Sequence, residues 1–248
     1  MHHKTPLVMA LVLVFLITGC GTKNRSPQER PTPFTVTLHN LSETSTLPTA
    51  IGAGLWAVHT VPYPLYRAKK VDKESGLEAL AEDGNPEALL THLLKMEDVA
   101  AAGLFPASLP VKAAVPLAPG GFYTFTFLAM PGDSLSFAAM VTESNDLFFG
   151  TPCAGIPLFH EGTPLNGDIT AHIRLWDCGT EINEKPGTGK YQAARQKGPG
   201  RGAPEYRNVH LATGPAPKVT DMIWVTLTPV IKPPALPQSA PPSNDRIK

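Results

Sequence analysis

Two short stretches each place hard oxygen ligands close together in this chain. Glu143-Ser144-Asn145-Asp146 precedes the apolar Leu147-Phe148-Phe149, and Asp177-Cys178-Gly179-Thr180-Glu181 leads on to Asn183 and Glu184. Gly179 lies between Asp177 and Glu181, so a tight turn can aim both carboxylates inward. Oxygen ligands clustered on loops at strand ends suit calcium, which takes ~6–8 of them. Acids in such loops also serve as solvated caps of turns. Spacing alone leaves both roles open.

Other chemistry leaves little trace. Of the 8 histidines, His2 and His3 precede the first apolar run. His39, His59, His92, His160, His172 and His210 show no paired spacing. There is no His-Glu-x-x-His and no Gly-x-Ser-x-Gly, and no His adjoins either acidic motif in the sequence. No residue is assigned a catalytic role, and the chain is read as non-enzymatic. Gly187-Thr188-Gly189-Lys190 is not a phosphate loop, because that signature needs an earlier Gly and a following Ser or Thr. Those positions hold Glu184 and Tyr191. The surrounding stretch, 185–205, is glycine-rich and basic. It reads as a solvated flexible loop, with an anion or polysaccharide contact as the alternative. The 3 cysteines, Cys20, Cys153 and Cys178, lack the close Cys-x-x-Cys spacing of a zinc site.

These motifs need elements to hold them. Phe34 to Leu38 alternates apolar and polar residues, as a half-buried strand does. Phe122 to Leu128 alternates too, with Tyr123, Phe125 and Phe127 on one side. Ser134 to Met140 is a third run. Ile169, Ala171, Ile173 and Leu175 line one face of a fourth, and Met222 to Thr228 is a fifth, with Ile223, Val225 and Leu227 inward. Pro, at 27 of 248 residues, is about twice its usual ~5%. Pro removes a backbone donor and breaks helices and central strands. Short runs between Pro/Gly turns predict an all-β antiparallel β-sandwich. Helix is predicted in one short insertion. Ser75 is a candidate cap with Glu78 three residues on, Gly84 a stop, and Pro86-Glu87 a restart through Leu89, Leu90, Leu93 and Leu94.

The amino terminus predicts a compartment. A charged start at Lys4, an apolar run from Leu7 to Ile17 and a small-residue cleavage site make a secretory signal peptide. The run is too short for the ~20 residues that span a bilayer as a helix. Leu16-Ile17-Thr18-Gly19-Cys20 resembles the lipobox of bacterial lipoproteins, which implies that Cys20 is acylated and begins the mature chain. The expected organisation is a signal peptide over 1–19, a tether over 20–33, a folded domain over 34–228 and a Pro-rich disordered tail over 229–248. Lys+Arg and Asp+Glu both number 21, so no global charge argues for nucleic acid. The expected location is the cell envelope. Thr22 is not the Asp of inner-membrane retention, so in a Gram-negative host the outer membrane is expected.

Three stretches, in order, resemble the spondin amino-terminal domain family. Gly76 to Gly84 is similar to its GLE-LAEDG segment. Pro131 to Val141, with Glu143-Ser144-Asn145-Asp146, is similar to its strand and PS(N/P)D turn. Trp176-Asp177-Cys178-Gly179-Thr180-Glu181 is similar to WDAGTD. The resemblance covers roughly Phe34 to Thr228. It implies a β-sandwich with calcium between loops at one end, held by the residues at Asp146, Asp177 and Glu181. The chain departs from the pattern at Leu147, where the family has an aromatic, at Glu181, longer than Asp, and at Cys178, which replaces Ala.

If both loops hold one ion, Cys153 and Cys178 lie on neighbouring loops. An oxidising compartment permits disulfides, and a Cys153–Cys178 bridge is then expected. The functional expectation is a lipid-anchored binding or adhesion module. Its partner would be an envelope protein, a polysaccharide or a surface ligand. The alternative is a metal-dependent envelope enzyme using a metal-bound water at Asp146/Asp177.

Overall fold

The computed structural model describes residues 30–71, 75–105, 116–214 and 217–230. The signal peptide, Cys20, most of the tether and most of the tail lie outside the described residues. In chain order the strands are β1 (Thr32–Asn40), β2 (Ile51–His59), β3 (Val99–Leu104), β4 (Phe122–Ala129), β5 (Ser134–Val141), β6 (Leu147–Gly150), β7 (Ile156–Pro157), β8 (Phe159–His160), β9 (Thr163–Pro164), β10 (Gly167–Asp168), β11 (Arg174–Asp177), β12 (His210–Leu211) and β13 (Ile223–Pro229). The helices are α1 (Leu77–Asp83), α2 (Glu87–Leu93) and α3 (Val219–Met222). None of the described helices is long and apolar enough to cross a membrane.

Two antiparallel sheets form the sandwich. One has the order β10-β13-β1-β4, the other β12-β11-β6-β5-β2-β3, with β7 beside β5. Val36 on β1 faces Phe125 of β4 and Leu227 of β13. The alternation read from β1, β4 and β13 is the observed one. Phe34, Val36, Leu38, Tyr123, Phe125, Phe127, Ile223, Val225 and Leu227 all point into the core between the sheets. That clean period-2 pattern belongs to a sheet with one face in water.

The second sheet is different. Its inner face adds Phe137, Ala139 and Phe149 to the sandwich core. Its outer face is also covered, by a second core in which Leu55, Ala57, Ala138, Phe148 and Trp176 meet Leu77, Leu80, Leu89 and Leu93 of α1 and α2. Each fully buried Leu or Phe there contributes about 1.5–3 kcal/mol. Strands covered on both sides carry continuous apolar runs rather than alternation. Accordingly, β2, with eight of its nine residues buried, has no period to read and was not predicted.

Three local expectations change. The run from Ile169 to Leu175 is not one strand: a 3-10 turn over Thr170–His172 interrupts it. Asp168 Oδ1 accepts from the Thr170 N–H at 2.7 Å, and Thr170 Oγ1 accepts from the Val225 N–H at 2.8 Å, so side chains replace the ladder there. At α1 the cap position is Gly76, with no side-chain cap bond, rather than the expected Ser75. Ser75 Oγ accepts from the Leu77 N–H at 3.2 Å. Gly84 does end the helix, at φ 64°, where a side chain is strained.

The third change is the disulfide. No disulfide joins Cys153 and Cys178. β6 and β11 are antiparallel, with Leu147 opposite Asp177 and Gly150 opposite Arg174. Cys178 therefore follows one end of this ladder and Cys153 the other, separated by at least the ~10 Å that three strand steps span. A disulfide needs Cα atoms within ~7 Å.

Candidate functional site

The turn between β5 and β6 and the exit of β11 meet at one end of the second sheet. Ser144 shapes the first. Its hydroxyl donates to the Val141 carbonyl at 2.6 Å and accepts from the Leu147 N–H at 3.1 Å. Gly179 shapes the second, at φ 74°. An added Cβ would meet the Arg207 carbonyl oxygen at 2.9 Å. The two turns are joined by the Cys178 N–H, which donates to the Asp146 carbonyl at 3.1 Å.

Asp146, Asp177 and Glu181 are all brought to this place, and all are buried. Asp146 Oδ2 accepts from the backbone N–H of Thr180 at 2.8 Å and of Glu181 at 3.2 Å. Asp177 Oδ1 accepts from the Gly179 N–H at 2.8 Å, and Oδ2 from the Asn183 amide at 2.6 Å. Glu181 Oε1 accepts from the Gly202 N–H at 2.7 Å, and Oε2 from the Asn145 amide at 3.2 Å. These carboxylates lock the turns that carry them. One oxygen is left over: Asp146 Oδ1 is buried and has no hydrogen-bond partner. Burial pushes the Asp146 carboxyl up to about 6, and the charge of Asp177 adds to the rise.

Four contributors were given no role from the sequence, although Asn145 and Glu184 lie within the acidic stretches it singles out. Glu82, on α1, is buried against this end. Its carboxyl is pushed up to about 7, chiefly by burial, with the charges of Glu181, Glu78 and Asp83 adding and a hydrogen bond from Thr180 opposing. It was visible only inside the LAEDG-like segment, as an acid beside the buried Leu80 and Ala81. Asn145 and Glu184 bind reciprocally. The Glu184 N–H donates to Asn145 Oδ1 at 2.9 Å, and the Asn145 amide lies 3.4 Å from Glu184 Oε2. His210 corrects an expectation outright, since a histidine does adjoin the acidic site. β12 pairs with β11, placing His210 opposite Asp177. Its Nε2 lies 3.5 Å from Asp177 Oδ2, a close contact without hydrogen-bond geometry. No sequence spacing reports a pairing across 32 residues of intervening chain.

The basic stretch 185–205 is not a freely solvated loop. Its neck is closed where Ile182 donates to the Ala203 carbonyl at 2.8 Å and Glu205 to the Thr180 carbonyl at 2.7 Å. Glu184 accepts from the N–H groups of Lys190 at 3.1 Å and Tyr191 at 2.8 Å. Gln192 is fully buried, its amide donating to the Lys185 carbonyl.

Fit to calcium is partial. Asp146 Oδ1 is an orphaned anionic oxygen beside a second carboxylate, which a cation would satisfy. The oxygens of Asp177 and Glu181 already have protein donors. Among the described residues, no group of three or more His, Cys, Asp or Glu side chains is arranged to hold a metal ion. No protein-family model matches this chain, and no curated protein matches it.

Proposed function

We infer that this protein is a non-enzymatic binding module of the cell envelope, anchored through lipid on Cys20. It presents a sandwich domain of the kind its spondin-like motifs imply. Its acidic end takes calcium at Asp146, with Asp177 and Glu181 as further ligands. The observation that supports the ion is the buried, unpartnered Asp146 Oδ1 next to Asp177. Two buried like charges disfavour one another, and a divalent cation removes that cost. Coordination requires Asp177 to release the Asn183 amide and Glu181 to release the Asn145 amide. Asn183 is exposed, and the Asn145 amide also reaches Glu184. Both are side-chain donors that can be exchanged without breaking the backbone links between the turns.

The test is thermal unfolding of residues 30–230 in calcium and in chelator. A ligand that binds only the folded state stabilises by about 2.7 kcal/mol at a hundredfold excess over its dissociation constant. The midpoint is expected to rise in calcium for the native sequence and to stay fixed for Asp146→Asn. Superimposable curves for the native sequence, with no calcium in the purified protein, would remove the ion from this reading.

The His210–Asp177 contact favours one other reading, a metal-dependent envelope enzyme with His210 as its base. Turnover of model esters or phosphoesters in the presence of a divalent ion, lost in His210→Gln, would replace the binding-module reading.

A further inference from the structure

The basic loop builds a second site, beside the acidic end but lined by other residues. Lys190, Tyr191, Arg195, Gln196, Lys197 and Arg201 surround a hollow of about 450 Å³, within the ~300–1,000 Å³ usual for small-molecule sites. Four of the six lining residues are cationic and none is acidic. Such a concentration of one sign in a concave surface attracts the opposite charge.

The cations divide into two kinds. Arg195 is committed to structure. It pairs with Glu143 at 2.6 Å, donates from Nε to the Gly189 carbonyl at 2.7 Å, and bonds Gln192 through Nη2. Lys190 caps the neighbouring ring, its Nζ 4.8 Å from the Tyr191 centroid. Lys197 and Arg201 are exposed and have no carboxylate partner among the described residues. Nothing in the packing requires two unspent cations at the same hollow.

The backbone that carries them is fixed from below. Gln196 donates to Asp83 Oδ1 at 2.8 Å and lies 3.2 Å from the Glu82 carbonyl. The Gly187 N–H donates to the Glu143 carbonyl, and the Ala194 N–H to that of Thr142. The loop is therefore held to α1 and to the end of β5 without a ligand. Preorganisation of this kind cuts the ordering cost of binding.

We propose that this hollow binds an acidic saccharide, a chain of uronate-type sugars. A lone small anion engages one or two cations. Here they are spread along the loop from position 190 to position 201, which suits acid groups joined by a rigid spacer. Arg201 offers the planar fork that matches a carboxylate. Tyr191 presents an amphipathic ring, the residue type that meets the apolar face of a sugar. The proposal does not depend on calcium, because none of these six residues is among the acids assigned to the ion.

The experiment is calorimetric titration of the chain from Cys20 to Lys248, unacylated and in chelator, with tri-galacturonate. Saturable binding that weakens with added salt is expected. Lys197→Gln with Arg201→Gln should weaken it by about tenfold or more, at ~1.4 kcal/mol per factor of ten. Lys69→Gln with Lys70→Gln, on an exposed loop outside the hollow, should leave it unchanged. So should Asp146→Asn, which separates this site from the calcium reading. Absence of saturable binding overturns the proposal. So does an equal loss in the Lys69/Lys70 variant, which would mark general charge attraction. Equal affinity for inorganic phosphate would also overturn it, by making the hollow a simple anion site.

Discussion

The acidic end and the basic loop are adjacent in sequence and opposite in design. Asp146, Asp177 and Glu181 are buried at 0%, 3% and 3% exposure and spend nearly every oxygen on protein donors. Lys190, Lys197 and Arg201 are exposed and spend little. The difference follows from desolvation. A buried charge without partners costs several kcal/mol, so the acids are folded into their turns by backbone N–H groups. An exposed cation has no such penalty and remains free for something outside the chain. Charge at the acidic end is therefore mostly architecture, with Asp146 Oδ1 the exception, whereas charge on the loop is mostly available. Glu184, Glu143 and Asp83 connect the two, since each is an acid used to hold the basic loop in place.

The sharpest way to break this contrast is at Gly202. A Cβ there would lie 2.0 Å from Glu181 Oε2 and 2.2 Å from its Cδ. Glu181 cannot yield easily, because the adjacent Ile182 is held to Ala203 by a backbone bond. Gly202→Val should destabilise the domain by about 2–4 kcal/mol, in the range of overpacking joined to a broken buried network. The paired changes Lys197→Gln and Arg201→Gln should stay within about 0.5 kcal/mol of the native sequence, as surface substitutions do. Urea unfolding of the three proteins decides it. Equal losses would show that the loop cations are as structural as the acids.

The strands of the first sheet were legible because they face water on one side. Phe34, Val36 and Leu38 alternate with Thr35 and Thr37, and no other arrangement of that strand buries them together. β2 was not legible, since Leu55 and Ala57 go to one core while Ile51 and Val58 go to the other. Of the site, the two acidic motifs were visible, since acid, Gly and acid within one turn is a local pattern. Glu82 and His210 were not, because α1 and β12 reach that end only through tertiary contacts. The Cys153–Cys178 expectation failed for a related reason: neighbouring strands do not make neighbouring ends, and antiparallel register sends the two thiols apart. The basic loop looked mobile by composition. Its order comes from buried acceptors, Glu184 above all, that no property of the loop itself announces.

A smaller effect comes from pH. In the folded state Asp146 titrates at about 6 rather than 3.8, and Glu82 at about 7 rather than 4.5, burial leading in both. Both values are raised, so the folded state holds protons that the unfolded state has released between about pH 4 and 7. Stability therefore falls as pH rises through that window. In chelator the domain should be more stable at pH 5 than at pH 7.5, by on the order of 2 kcal/mol at ~1.4 kcal/mol per unit. Calcium should reverse the trend, because it binds the deprotonated acids. Denaturant titrations at both pH values, with and without calcium, read this directly. A flat profile in chelator would mean that the carboxylates gain enough from their donors to offset burial. The strain that motivates the ion would then be gone.

The smallest expected effect sharpens the other side of the comparison. Arg195 is the one loop cation spent on the fold, yet its pair with Glu143 is partly exposed, at 34% and 21% for the two side chains. Exposed pairs contribute roughly 0–1 kcal/mol, so Arg195→Gln should lower global stability by less than ~1 kcal/mol. Local order is where its loss should register. Arg195 ties Gly189 and Gln192 to its own turn and the turn to Glu143. Amide hydrogen exchange over residues 187–196 should therefore quicken in the variant, while exchange in β5 and β6 stays as it was. Such a split is the signature of local rather than global opening. Unchanged exchange over 187–196 would assign the loop's order to Glu184 and Gln192 alone. Arg195 would then join Lys197 and Arg201 as a cation free for a ligand, and the basic hollow would have three unspent charges instead of two at its rim.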